Sequence, residues 1–447
     1  MVGLSRRNRR AAALVSMVVL ASCLGWAGWA MAADASTTAP ATAPSPELPQ
    51  IPDHAFNLAD FGGVGDGKTI NTAAFTKALA AVTAAGGGKL VVPKGEFLTL
   101  PINLVSHLDL HLEDGAKIQF PADLKAYSAI DALLPRPDSL AKMDGGNSSL
   151  LYGDTLTDVA ITGTGTIDGG GQAWWGSRGK TTAVGPIHGR PKMIILTHSQ
   201  RIHLDGVTLA NSPMWFFVPV QCENVTIENV KINAPQHSPN TDAIDPTAST
   251  DVLIRNCDLD EGDDNVAVKA LGGACSNIWI ENVHSKHGHG ISIGSETYGG
   301  VHDVTVQNCT FDGGDNGIRI KSARDRGNQL YNFSFSNITM DNVTNPIVID
   351  MYYSGGHTRQ EQPVTPTTPF LKNVQISNVT IKNSRNAGRI LGLPEAPATG
   401  IVLSHVTIDA MTGMTVQDVK GCVFDDVKIN VERGEPIMKT FSDLTVK

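Results

Sequence analysis

Apolar and polar residues alternate with period two along most of the chain, in a short unit that keeps returning with an Asn at its fifth position. Copies read VTIENVKI from Val225, VLIRNCDL from Val252, IWIENVHS from Ile278, VTVQNCTF from Val304, FSFSNITM from Phe333 and VQISNVTI from Val374. Fainter copies start at Val159, Ile202, Ile401 and Cys422, and successive starts are 43, 23, 27, 26, 26, 29, 41, 27 and 21 residues apart. Period two marks strands with one buried face, and nothing of helical period separates the copies. A lone strand of this kind cannot bury that face. Stacking successive coils in parallel, at about 4.8 Å per step, buries all of them together. The pattern predicts an all-β parallel β-helix, with a degenerate copy or a loop in each of the two long steps. Asn229, Asn256, Asn282, Asn308, Asn337 and Asn378 are expected at bends, because Asn tolerates left-handed backbone and stacked amides form ladders.

Between Thr72 and Ala84 the period becomes helical, with Phe75, Leu79 and Val82 on one face. A short N-terminal helix there suits a lid over the open end of a solenoid. Short strands from Gly86 onward supply the first coils, so one β-helix domain is expected over 51–447. Residues 33–50 are rich in Ala, Thr, Ser and Pro and read as a linker. Residues 1–32 hold Arg6, Arg7, Arg9 and Arg10, then an uncharged apolar stretch ending in Ala30-Met31-Ala32, the form of an export signal peptide. Leu20-Ala21-Ser22-Cys23 resembles a lipoprotein processing site, and the apolar stretch is long enough to stay as an uncleaved anchor, so export leads to a secreted or periplasmic protein or to one tethered to a membrane, through Cys23 or through that stretch.

Without that segment, 31 basic residues face 44 acidic ones, a formal charge of −13. Such a chain has no general attraction to nucleic acid or an anionic membrane, and an anionic ligand needs a local basic cluster. The cysteines left after Cys23 are five, an odd number without CxxC spacing. They predict at least one unpaired thiol or an intermolecular bond, and no zinc site.

In a solenoid, polar clusters that recur at coil period stack into one strip. Asn240-Thr241-Asp242, Gly262-Asp263-Asp264, Gly288-His289-Gly290 and Arg319-Ile320-Lys321 recur in this way on four consecutive coils. Crowded carboxylates repel, raising at least one pKa, while nearby cations keep others ionised. That arrangement suits glycoside hydrolysis by an acid and a base. The same acids could equally ligate calcium. Arg319 and Lys321, one residue apart on a strand, face the same way and could clasp a carboxylate, helped by Lys269, Arg324 and Arg326.

With NTDAID from Asn240, GDDNVAVK from Gly262, GHGISIGS from Gly288 and RIK from Arg319, and with FGGVGDGKT, GTIDGGGQAWW and RPKMI upstream, the chain resembles the polygalacturonases of a pectin-degrading glycoside hydrolase family. The resemblance spans roughly Phe56 to Asp350. It implies a right-handed β-helix that hydrolyses α-1,4-galacturonan with inversion and without a metal. A monomer without cofactor is expected. It makes Asp263 the general acid and gives Asp242 and Asp264 the attacking water. His289 sits beside them, Arg319 and Lys321 take the galacturonate carboxylate, and Asn240 supports. A family tyrosine falls on Tyr353 in preference to Tyr352. Trp174 and Trp175 read as packing residues at a coil corner. Asn265 and Lys286 replace two cysteines that the family often has, leaving that disulfide in doubt. Two alternatives stand beside hydrolysis: a calcium-assisted pectate lyase, and a non-catalytic pectin-binding solenoid.

Overall fold

A computed structural model describes residues 42–122, 149–175, 190–353 and 356–447; the export segment and Cys23 lie outside them. The chain winds as a right-handed parallel β-helix, and among the described residues every strand pairing is parallel, so each strand lies on the same strand of the next coil. One inward column shows what drives this. Leu90, Leu110, Ile161, Leu204, Ile227 and Ile254 stack in register, continuing through Ile280, Val306, Phe335, Ile376, Leu403 and Phe424. All twelve are buried, each removing apolar surface worth about 1.5–3 kcal/mol.

The sequence copies coincide with this register: Val159, Ile202, Val225, Val252, Ile278, Val304, Phe333, Val374 and Ile401 each pair with the next. Val159 pairs directly with Ile202, and Phe333 with Val374. Each long step is thus one coil with an enlarged loop, without a degenerate copy inside it.

The six repeat Asn residues have φ between +54° and +58°, the left-handed bend expected of them. Their amides ladder from coil to coil: Asn282 Nδ2 donates to Asn256 Oδ1 at 3.2 Å, Asn337 to Asn308 at 3.1 Å and Asn378 to Asn337 at 3.3 Å. A second column at the opposite end of the same strand contains Asn277, Asp303, Asn332 and Asn373, also with positive φ. There Asn332 donates to Asp303 at 2.9 Å and Asn373 to Asn332 at 3.2 Å.

The helix Thr72–Ala84 buries Phe75, Leu79 and Val82, with Ala74 and Ala78, over the first coil. Its approach is pinned by Asn71, whose Nδ2 donates to the carbonyls of Val64, Thr69 and Leu98. The last residues read as linker lie against the coils: the Glu47 amide donates to Asn224 Oδ1 and the Gln50 amide to Asp158 Oδ1. Cys222, Cys257, Cys275, Cys309 and Cys422 are all free and buried. Burial pushes the first four thiols up to about 12.

Replacing Asn282 with Val is expected to cost about 1–3 kcal/mol, because a β-branched residue strains the left-handed bend. Asn282→Gly, free of that strain and losing only the ladder bond, is expected to cost less. Denaturant unfolding of the two variants compares them.

Candidate active site

The site column is a different face of the coil, anchored inward by Ile244, Val266, Ile291, Ile318 and Ile347, which pair in sequence. Asp242, Asp264 and His289 each stand two residues before such an anchor, so register alone brings them together. Ser292 and Arg319 pair one position beyond it.

Asp264 is almost fully buried. Lys321 Nζ donates to its Oδ2 at 2.5 Å, and Arg319 Nη1 and Ser292 Oγ donate to its Oδ1 at 3.1 and 2.7 Å. Burial would raise this carboxyl, but Lys321, then Arg319 and His289, outweigh it and hold the group well below the usual carboxylate range. Asp263 stands further out, its side chain 21 % exposed against 1 % for Asp264. Its Oδ1 lies 2.9 Å from His289 Nδ1, and its carbonyl accepts the His289 amide at 2.6 Å. Burial lowers the His289 pKa, while its bond to Asp263 and the charges of Asp263 and Asp264 raise it more, for a net upward shift.

Asp242 is buried. Its Oδ2 lies 3.2 Å from Lys269 Nζ, which also meets Asp245 Oδ2 at 2.6 Å. Burial foremost, then the charge of Asp245, pushes Asp242 well above the carboxylate range despite Lys269. Burial likewise lifts Asp245 to about 7. The crowding expected from the sequence thus has opposite outcomes: the carboxyl with two cations is held ionised and the one that shares a cation is raised.

Asn240, with φ +51°, offers its Oδ1 to Arg190 Nη2 at 2.6 Å. Tyr353 lies under the cations, its ring centre 5.5 Å from the Arg319 guanidinium and 5.3 Å from Lys321 Nζ. Tyr352 instead is buried beside Arg324, so Tyr353 is the tyrosine that faces the site.

Several readings change. Arg324 pairs with Glu395 at 2.5 Å and Arg326 with Asp325 at 3.6 Å, so neither joins the basic patch. Lys269 serves Asp242 and Asp245 directly. The glycines around His289 are required by close packing: a Cβ on Gly290 would lie 2.1 Å from the Gly317 carbonyl, and one on Gly288 2.5 Å from that of Asp263. Both are positions where neighbouring coils touch. Trp174 is buried and Trp175 packs against the core, in keeping with a packing role.

Asn265 accepts from Ser285 Oγ at 2.6 Å and from the Gly290 amide at 2.9 Å, and donates to the His287 carbonyl at 2.8 Å. Its amide thus ties the two coils together.

Sequence reasoning missed Arg190, Asp245 and Glu261. Arg190 is buried and also donates to the Pro213 carbonyl at 3.0 Å. Glu261 is fully buried beside Asn265 and Gly288. Burial, then Asp260 and Asp242, pushes its carboxyl well above the usual range. Asp245 closes the NTDAID motif, and its signal was available: an acid one residue beyond an inward anchor.

Residues 83–428 match glycosyl hydrolases family 28. The chain belongs to that family. A probable polygalacturonase of Vitis vinifera is 34 % identical over 373 residues, covering 79 % of this chain and 74 % of the relative. An endo-polygalacturonase of Pectobacterium carotovorum subsp. carotovorum is 32 % identical over 267 residues, 58 % of this chain and 65 % of its own. Among solved structures, a hyperthermoactive exopolygalacturonase from Thermotoga maritima superposes with a TM-score of 0.73 at 29 % identity, covering 83 % of this chain and 92 % of that one. The chain is therefore a family 28 glycoside hydrolase.

Asp263, Asp264 and His289 each offer an atom within 4.8 Å of the others, the spacing of a metal triad. The Asp264 oxygens, however, already carry two cationic side chains and a hydroxyl, a donor set that repels a divalent ion.

Asp242, Asp245 and His289 all bind their protons more tightly in the folded chain than in the unfolded one. The stability this contributes is present at low pH and is lost as pH rises. Asp264 has the opposite sign, and its contribution is complete above about pH 4. The unfolding midpoint, followed by circular dichroism, is expected to fall from about pH 5 to about pH 8; a rising midpoint would contradict the assigned shifts.

Proposed function

We propose that this family 28 hydrolase is a polygalacturonase, cleaving the α-1,4-galacturonosyl linkages of polygalacturonate and pectin by an inverting acid/base mechanism. The observation that carries this reading is the split among stacked carboxylates: Asp264 is buried and clamped by Lys321 and Arg319, while Asp263 is accessible and bonded to His289.

An acid must reach the leaving oxygen, and Asp263 has the accessibility for it, with His289 fixing its orientation. A base must stay ionised at working pH, which the two cations arrange for Asp264. Asp242, one coil away, shares the attacking water with Asp264, and an inverting site has room between its carboxyls for that water. As the reaction proceeds, water loses a proton to the base and its oxygen bonds to the anomeric carbon. The glycosidic bond breaks, and Asp263 protonates the departing oxygen. Lys321 and Arg319 use only some of their donors on Asp264. The remaining ones, above the Tyr353 ring, take the galacturonate carboxylate next to the cleaved bond. Asn240, held by Arg190, supports the sugar.

One coil stack carries every proposed site residue, so the enzyme works as a single chain. The Arg-rich, apolar residues 1–32 support export to where a polysaccharide substrate is met, and in the same reading Cys23 is the point of lipid attachment. Relatives named endo and exo both occur, and the position of attack is left to the assay.

On polygalacturonate with chelator present, saturated products are expected. Mixed oligomers early in the reaction mean endo attack, and monomer or dimer alone means exo attack. Unsaturated or chelator-sensitive products would return the lyase reading. Asp263→Asn is expected to lower kcat by on the order of 10²–10⁴-fold while galacturonan binding survives. If hydrolysis persists in that variant, its role as the acid is refuted. Lys321→Ala is expected to weaken galacturonan binding about tenfold or more, losing a charged hydrogen bond, and to leave neutral glycans unaffected in the same binding assay.

A further inference from the structure

Behind the proposed catalytic face lies a second charged layer that the mechanism above does not use. Asp245 is completely buried and has no path to a sugar. Its Oδ2 lies 2.6 Å from Lys269 Nζ, closer than the 3.2 Å separating that ammonium from Asp242 Oδ2. Oδ1 of Asp242 and Oδ1 of Asp245 are both buried with no hydrogen-bond partner among the described residues. Two carboxyls therefore divide one cation, in a place where water does not screen them. The cation is held in place by the Trp215 ring, whose centre is 3.4 Å from Lys269 Nζ, a contact worth about 2 kcal/mol or more when desolvated.

We propose that Asp245 is a positioning residue for hydrolysis, competing with Asp242 for the single Lys269 ammonium and so setting how readily Asp242 takes up the proton of the attacking water. With Asp245 ionised, Lys269 leans toward it, and Asp242 is left a stronger base. With Asp245 neutral, Lys269 falls wholly to Asp242 and makes it a weaker one. The direction matches the upward shift of Asp242, in which burial comes first and the charge of Asp245 second.

The other charged groups around this layer are few. Asp263, Asp264 and the buried Glu261 face Asp242 from the next coil, Asp264 also acts on Asp245, and Arg190 approaches Asp242 from the upstream segment. Glu296 acts on Asp245 and Lys269 from the coil beyond, and Lys192 sits over the same Trp215 ring at 4.6 Å. Of these, Asp264 has its own two cations, so Lys269 is the ammonium that Asp242 and Asp245 contest.

This inference rests on Asp242 acting in the base role. The test is the pH profile of kcat/KM on polygalacturonate for the full chain and for Asp245→Asn, Lys269→Met and Asp242→Asn. Asp245→Asn is expected to move the acid limb down by about one pH unit, as a buried like charge is removed. KM should stay within about twofold, since the residue does not touch substrate. Lys269→Met is expected to move the same limb upward. A merely structural role for Asp245 would lower activity evenly at every pH, and superimposable profiles would overturn the proposal. If Asp245→Asn does not fold, as judged by circular dichroism, the direction of the Lys269→Met shift decides alone. Full activity in Asp242→Asn would sink the base assignment itself, an outcome distinct from a silent Asp245→Asn beside an inactive Asp242→Asn.

Discussion

Register between coils is the constraint on which the rest of this molecule depends. A one-residue slip in any strand would turn its apolar side chains outward, and the inward column from Leu90 to Phe424 leaves no coil free to make that slip. The same pairing that buries Ile244, Val266, Ile291 and Ile318 brings Asp242, Asp264, His289 and Arg319 to one strip. The site is therefore a by-product of core packing in the literal sense. Its carboxylates sit in the short turns immediately before those inward anchors.

What such a strip needs next is charge balance in a place from which water is largely excluded. Four acids, Asp242, Asp245, Asp263 and Asp264, are met by Lys269, Lys321, Arg319, Arg190 and a histidine of raised proton affinity. The distribution is uneven: Asp264 takes two cations, whereas Asp242 and Asp245 divide one. An even distribution would leave every carboxyl alike, and acid/base catalysis requires unlike ones.

The coil period, the left-handed Asn bends, the capping helix and the four motif positions were all legible in the sequence, because each depends on local pattern or on spacing that a solenoid converts directly into proximity. What escaped was whatever depends on depth. Parity shows that Asp242 and Asp264 share a face, but not that both lie beneath Asp263. Lys269 read as part of a basic patch because nothing local reveals that Asp245 lies 2.6 Å from it. Arg324 looked free because its partner, Glu395, is 71 residues away. The enlarged coil between Phe333 and Val374 could be counted from the repeat, yet the seat of Tyr353 beneath Arg319 depends on that loop's path.

The amide of Asn265 and the five separate thiols have a consequence for how this protein is held together. Its coils are joined by hydrogen bonds and apolar contacts, and each thiol after Cys23 is free, buried and held in its neutral form. The described stack is therefore held without any disulfide for an oxidant to form or an isomerase to reshuffle. Among the described residues, no contact between coils depends on a sulfur–sulfur bond.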